Sequence, residues 1–177
     1  MTHVGHSLTG VALGMLCLPK DATPGRMFLQ LFVFFNLANL PDWQFNGWGH
    51  SNYNVSHSLF VNLALMLCVF LPLAYAPGLR ARLGGWPVLI CGGLAWLSHL
   101  LLDSFYEHGQ GIAILWPLSD WRLSLPVPWF SILHGSRFST EHLVRVYTTE
   151  FVCFFPFVLA AWFYKHKERK VRNASAN

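Results

Sequence analysis

Hydrophobic positions gather into five runs separated by short polar stretches. Three are long, covering residues 56–76, 86–103 and about 147–164, and two are shorter, at about 6–18 and 27–40. At 1.5 Å per residue the long runs extend roughly 27–32 Å, close to the hydrocarbon thickness of a bilayer. The two shorter runs fall below the norm of roughly 20 residues and would cross only a thinned bilayer. The pattern predicts an all-α, polytopic membrane helix bundle of about five transmembrane helices. Residues 1–164 read as one membrane-embedded domain with a surface loop at 104–146, and residues 165–177 as a basic tail.

Composition agrees with a membrane protein. The chain is 54% hydrophobic and 11% charged, where a soluble domain carries roughly 25% charged residues. A formal charge of +4 would suit a nucleic-acid partner, yet five of the twelve basic residues lie in the last thirteen positions, "KHKERKVRNASAN". A basic tail after an apolar helix is a topology signal, and no nucleic-acid partner is expected.

With five crossings, nine basic residues fall on one side and only Arg122, Arg137 and Arg145 on the other. This asymmetry puts the C-terminus in the cytoplasm and the N-terminus outside. The first basic residue is Lys20, so no charged n-region of a secretory signal is expected. Five of the eight tryptophans lie in the two outer loops, which predicts that the long loop lies at the headgroup level. The four cysteines sit in apolar runs without a CxxC pair and read as small core hydrophobes. Gly92 and Gly93 would allow close helix packing within or between chains, and the oligomeric state is left open.

The stretch "SHLLLDSF" breaks this apolar logic, because it places His99 and Asp103 four residues apart in a predicted membrane helix. Such groups cost a few kcal/mol each unless something pairs with them. On the five-span topology His3 and His6 open the first helix, Asp42 closes the second, His57 opens the third, and His99 and Asp103 close the fourth. His108, His134 and His142 follow in the outer loop, so eight of nine histidines share one side.

Singly, each has an ordinary explanation as a cap, a turn residue or an interfacial side chain. Together they point to a metal site at the outer helix ends. Residues at i and i+4, such as His99 and Asp103, have Cβ atoms about 5–6 Å apart and can reach one cation. His3 and His6, at i and i+3, can do likewise, and imidazole with carboxylate is a ligand set for zinc and its neighbours.

The segments "MTHVGHSLTG", "NLPDWQF", "VSHSLF", "SHLLLDSF" and "GIAILWPLSD" resemble the YdjM-type, LexA-regulated inner-membrane proteins, a family regarded as metal-dependent hydrolases. That family is similar in turn to the all-helical zinc-dependent phospholipase C and P1-nuclease group. The group's pattern is an Asp, a His fourteen or fifteen residues later, then a His with an Asp four residues on. Asp42, His57, His99 and Asp103 match it with spacings of fifteen and four. The resemblance implies one metal centre built from these four, with Asp103 bridging to a second metal also held by His6, and with His3 assisting. Three departures stand out, the first being that neither His134 nor His142 is followed four residues on by an acid, as a later His is in the soluble enzymes. Position 109 is Gly where the soluble enzymes have His, leaving His108 as the nearest candidate ligand, and Asn52 and Tyr53 stand where the membrane family commonly has His-Arg.

These readings imply zinc, one to three ions, with manganese or another divalent metal as the alternative. The expected chemistry is hydrolysis of a lipid or lipid-linked phosphoester by metal-activated water. Asp103 and His108 are the expected catalytic residues, His134 and His142 are further candidate acids, and the three outer arginines would meet phosphate or headgroups. Membrane lipids are the expected partners. The rivals are a non-enzymatic metal-binding or structural membrane protein and a ceramidase-like zinc amidase. A transporter would carry polar groups through the midplane, which "NLALMLCVFLPL" and "VLICGGLAWL" lack.

Overall fold

The computed structural model describes residues 2–19, 22–106, 111–125, 127–131 and 139–175. Its helices are α1 (His3–Leu16), α2 (Pro24–Asn39), the single turn α3 (Tyr53–Ser56), α4 (Leu59–Tyr75), α5 (Pro77–Leu83), α6 (Trp86–Ser104) and α7 (Thr140–Ser175). Short 3-10 turns occupy Leu40–Asp42 and Gly49–Asn52. Among the described residues the only β pairing is one antiparallel bridge, Ile112 with Leu123. The five apolar runs thus emerge as α1, α2, α4, α6 and part of α7. The last of these continues without a break through the described part of the basic tail, because "KHKERK" is made of good helix formers.

The helix starts follow local chemistry. Thr2, Thr23 and Ser58 cap α1, α2 and α4 with side-chain oxygens, and Pro24 and Pro87 sit in first turns where no backbone donor is missed. Length then separates the elements. α6 and residues Thr140–Glu168 of α7 are long and apolar enough to cross a membrane, and α4 with α5 makes a third if the pair, bent by 103° at Ala76, is one broken span. Pro77 opens α5 where Ala76 leaves helical geometry, which accounts for the bend. α1 and α2, with 14 and 16 residues, are shorter than a standard crossing.

α1 is the hub, packing against α2, α6 and α7, while α6 also contacts α2 and α4. Close approach of α1 to α2 rests on glycine. A Cβ on Gly10 would stand 2.5 Å from the Phe34 carbonyl oxygen, and one on Gly14 would stand 3.0 Å from the Phe34 side chain, a small-xxx-small pairing of the kind that joins helices in lipid. Gly93 similarly lets Met66 of α4 approach α6. Polar ties reinforce the bundle: Gln30 donates to the Gly14 carbonyl at 3.1 Å, and Asn39 donates to Ser7 Oγ at 3.0 Å.

Polarity runs inside-out relative to a soluble protein. Phe28, Leu67, Ile90, Val152, Phe157 and Phe163 face outward, while His6, Asn62, His99 and Glu150 are fully enclosed. Lipid is the solvent that makes this arrangement favourable.

The described part of the long loop does more than lie on a surface. Leu125 and Val127 donate backbone N–H groups to the Ser104 and Phe105 carbonyls, Leu59 donates to Ile114, and Ile112 and Ala113 are fully buried. The segment therefore closes over the ends of α4 and α6, with Trp121 and Trp129 left exposed. Phe130 stacks on Tyr106 and Phe154, anchoring the loop to α7. The cysteine expectation requires a correction. Cys17 and Cys91, 74 residues apart, are joined in a disulfide where α1 packs on α6, and Cys68 is exposed. Linear spacing could not show a pairing that depends on two helices meeting.

Candidate metal centre

α6 presents His99 and Asp103 on the face that meets α1 and α2. The turn after α2 delivers Asp42, and the link between α3 and α4 delivers His57. The candidate ligand atoms of these four residues all lie within 4.8 Å of one another. His57 Nε2 is 3.4 Å from Asp42 Oδ1 and 3.1 Å from Asp103 Oδ2. His99 Nε2 is 3.5 Å from Asp42 Oδ1, 3.6 Å from Asp103 Oδ2 and 3.2 Å from His57 Nε2.

A tetrahedral ion with ligands at 2.0–2.1 Å requires ligand atoms separated by about 3.3 Å. The five measured edges bracket that value.

The ring orientations are set from behind. His99 Nδ1–H donates to the Ala38 carbonyl at 2.8 Å, and His57 Nδ1 lies 3.2 Å from the Tyr53 carbonyl and 2.8 Å from Ser56 Oγ. Holding the Nδ1 protons on these oxygens leaves both Nε2 lone pairs aimed into the same space, the arrangement a metal ligand needs. Two facing acceptors and two carboxylates in a site no more than 4% exposed call for positive charge between them, which a divalent cation would supply. Without an ion, burial favours a neutral Asp42, but Nε2 protons on His57 and His99 would outweigh it and hold this carboxyl well below the usual range.

His6 extends the group. Its Nε2 lies 3.2 Å from Asp103 Oδ1, the oxygen turned away from His57 and His99, and its ring stacks on His99 at 3.8 Å. His6 Nδ1 is buried without a hydrogen-bond partner among the described residues. Asp103 therefore has one oxygen on each side of the cluster. His3 is not brought in. It lies on the exposed side of α1 with Nδ1 3.1 Å from Asn39 Oδ1, because a three-residue step turns it about 60° away from His6. His108 and His134 lie outside the described residues, while His142 sits half-buried in the first turn of α7.

Two supports, Tyr53 and Asn62, were not foreseen from the sequence, and Arg122, expected at phosphate or headgroups, sits beside the first. Tyr53 stacks on His57 at 3.8 Å and its hydroxyl donates to Asp103 Oδ2 at 3.3 Å, so the residue at the family's Arg position touches the cluster. Burial first, then the Asp103 and Asp42 charges, push the Tyr53 phenol above its ordinary range and keep it a donor. Arg122 donates to Asn54 Oδ1 at 3.1 Å and to the Gly111 carbonyl at 3.2 Å, beside Tyr53. Asn62 donates to the Ser56 and Ser58 carbonyls, both at 2.7 Å, and accepts from Trp96 Nε1 at 2.8 Å, which ties the His57 segment to the helix carrying His99. The available signals were Tyr53 four residues before His57 and a lone Asn near the start of an apolar run.

On the far side of α1, the buried Glu150 carboxylate of α7 accepts from Thr2 N at 2.8 Å, Thr2 Oγ1 at 2.5 Å and Gly5 N at 3.0 Å. It satisfies the otherwise orphaned donors of the α1 N-terminus and fixes the helix that carries His6.

Fold and site together define a helical membrane protein with a buried His/Asp cluster able to hold a metal ion. Residues 1–170 match the YdjM inner membrane protein family, and the chain belongs to it. It is 34% identical over 136 residues to the Inner membrane protein YbcI of Escherichia coli (strain K12), covering 71% of this chain and 72% of the relative. No solved structure matches.

Proposed function

We propose that this chain is a membrane-bound, zinc-dependent hydrolase that cleaves a phosphoester of a lipid or lipid-linked substrate. The observation that carries the reading is a buried group of two histidines and two carboxylates whose candidate ligand atoms lie within 4.8 Å of one another, with the second Asp103 oxygen facing a third imidazole, His6, at 3.2 Å. Asp42, His57, His99 and Asp103 would hold a divalent ion, which when bound would supply Lewis acidity, lowering the pKa of a water and stabilising negative charge on the phosphoryl oxygens. Asp103 presents its second oxygen to His6, which suits a bridging role. Tyr53 holds Asp103 in place, Arg122 offers a cation beside the cluster, and His108 is the proposed proton donor to the leaving oxygen.

The proposed topology has five spans, α1 and α2 crossing a thinned bilayer. Arg26, Arg82 and Lys165 lie at the end opposite the cluster, where the Arg26 guanidinium donates to the Arg82 carbonyl at 2.8 Å and Lys165 lines a pocket with Leu18 and Met27. The positive-inside rule then puts that end in the cytoplasm and the cluster on the outer side.

A second reading draws on the burial itself. Four protein ligands with no more than 4% exposure describe a closed site, as in structural zinc centres, and a metal that only ties helices together would fit.

Elemental analysis and turnover separate the two. Detergent-purified wild type should hold at least one equivalent of zinc, with Asp103→Ala and His99→Ala holding less than a tenth of it. Reconstituted wild type should release phosphate or phosphorylated headgroup from a lipid phosphoester panel, and not fatty acid from amides. Metal without any turnover would leave the structural reading, and metal retained in both variants would remove the centre.

A further inference from the structure

Below the His6–Asp103 pair a groove of about 540 Å³ runs between α1 and α7. Leu102, the neighbour of Asp103, and Phe154 form its head. Ala12 and Ala161 form a buried floor of small side chains, and Leu16 and Tyr164 stand as exposed rims at the far end. His6, Thr9, Leu13 and Leu16 are spaced three, four and three residues apart on α1, one continuous stripe, so the metal cluster sits at the top of the wall that lines the groove. From Phe154 to Tyr164 the groove follows α7 for about 15 Å, half of a ~30 Å hydrocarbon core. The wall offers almost nothing to a polar ligand: the Thr9 hydroxyl is turned back onto the Gly5 carbonyl at 2.9 Å.

We propose that this groove holds one acyl chain of the lipid whose head the metal cluster engages. The inference rests on the hydrolase reading for the identity of the head, and it names the other half of the substrate: a lipid with a long unbranched hydrocarbon chain. Two facts favour that occupant. The groove lies along a helix apolar and long enough to cross a membrane, where hydrocarbon is the surrounding medium. Its head also adjoins the cluster in sequence, since Leu102 precedes Asp103 and Thr9 lies one helical turn beyond His6, so an acyl chain seated in the groove would have its polar end beside the cluster on the lipid side of α1.

The test uses the full-length protein in vesicles of phosphatidylethanolamine and phosphatidylglycerol containing a phosphatidylglycerol with a diazirine midway along one acyl chain. Illumination followed by peptide mass spectrometry should label residues 9–16 and 154–164 at groove positions several-fold above outward residues such as Phe28 and Phe163. Ala160→Phe, which fills the groove from its exposed rim, should abolish that enrichment while leaving metal content unchanged. Leu16→Trp, at the lipid-facing rim, is the second variant should the first fail to fold.

Even labelling over all outward faces, or enrichment that survives both variants, would overturn the proposal. So would cross-links from α1 or α7 to a second copy, since a neighbouring chain would then fill the groove. None of these readouts needs turnover, so an inert protein with a labelled groove would fault the hydrolase reading and spare this one.

Discussion

At the scale of single residues, the cluster is held by atoms that are not themselves candidate ligands. Two backbone carbonyls orient the imidazoles, and Tyr53 holds the Asp103 oxygen that faces them. Tyr53→Phe keeps the ring on His57 and removes only the hydroxyl. Zinc affinity should then fall about tenfold, the lower end of what such outer partners contribute, with no change in elution or helix content; competition against a chelator measures it, and unchanged affinity would make the hydroxyl contact incidental. The candidate ligands themselves were largely legible in the sequence, because a charged or imidazole side chain in a 54% hydrophobic chain is conspicuous. Tyr53 and Asn62 were not, since an aromatic or an amide beside a membrane span has many ordinary uses. His3 illustrates the opposite error of reading: spacing from His6 suggested a shared target, but the helix turns His3 toward Asn39.

At the scale of elements, α1 is the shortest of the apolar helices and the most heavily contacted, so its placement governs the site. Its N-terminus is tied to α7 through Glu150, its middle to α2 through Gly10 and Gly14, and its His6 to α6. Gly10→Leu would drive a side chain into the Phe34 backbone, which cannot yield as a flexible side chain would. The expected result is a loss of about 1–3 kcal/mol or more, the range for overpacking, seen as a lower thermal midpoint in detergent together with reduced metal content. A normal midpoint would mean that α1 and α2 separate without cost. Helix positions were readable from hydrophobic runs, since burying or solvating a backbone in lipid demands helix. The long loop was not: its Trp and Pro content suggested the membrane surface, whereas its described part makes backbone hydrogen bonds to the ends of α4 and α6 and buries Ile112 and Ala113.

At the scale of the whole molecule, the proposed sidedness is open to a direct check. A fluorescent protein fused after Asn177 should fold and fluoresce in the cytoplasm, and a cysteine introduced at position 120 should react with a membrane-impermeant maleimide added to spheroplasts. The reverse pattern would invert the topology and put the cluster on the cytoplasmic side. Membrane class, the five apolar helical segments and the ionisable residues that are out of place could all be read along the chain, because composition and hydrophobic period are local properties. The packing of the helices was needed to bring Asp42 and His57 within 4.8 Å of the His99 and Asp103 ligand atoms, to face Asp103 toward His6, to pair Cys17 with Cys91, and to leave a groove between α1 and α7. Each of these depends on the approach and rotation of helices far apart in the chain, which glycines such as Gly10 and buried polar ties such as Asn62 to Trp96 set only once the bundle has assembled.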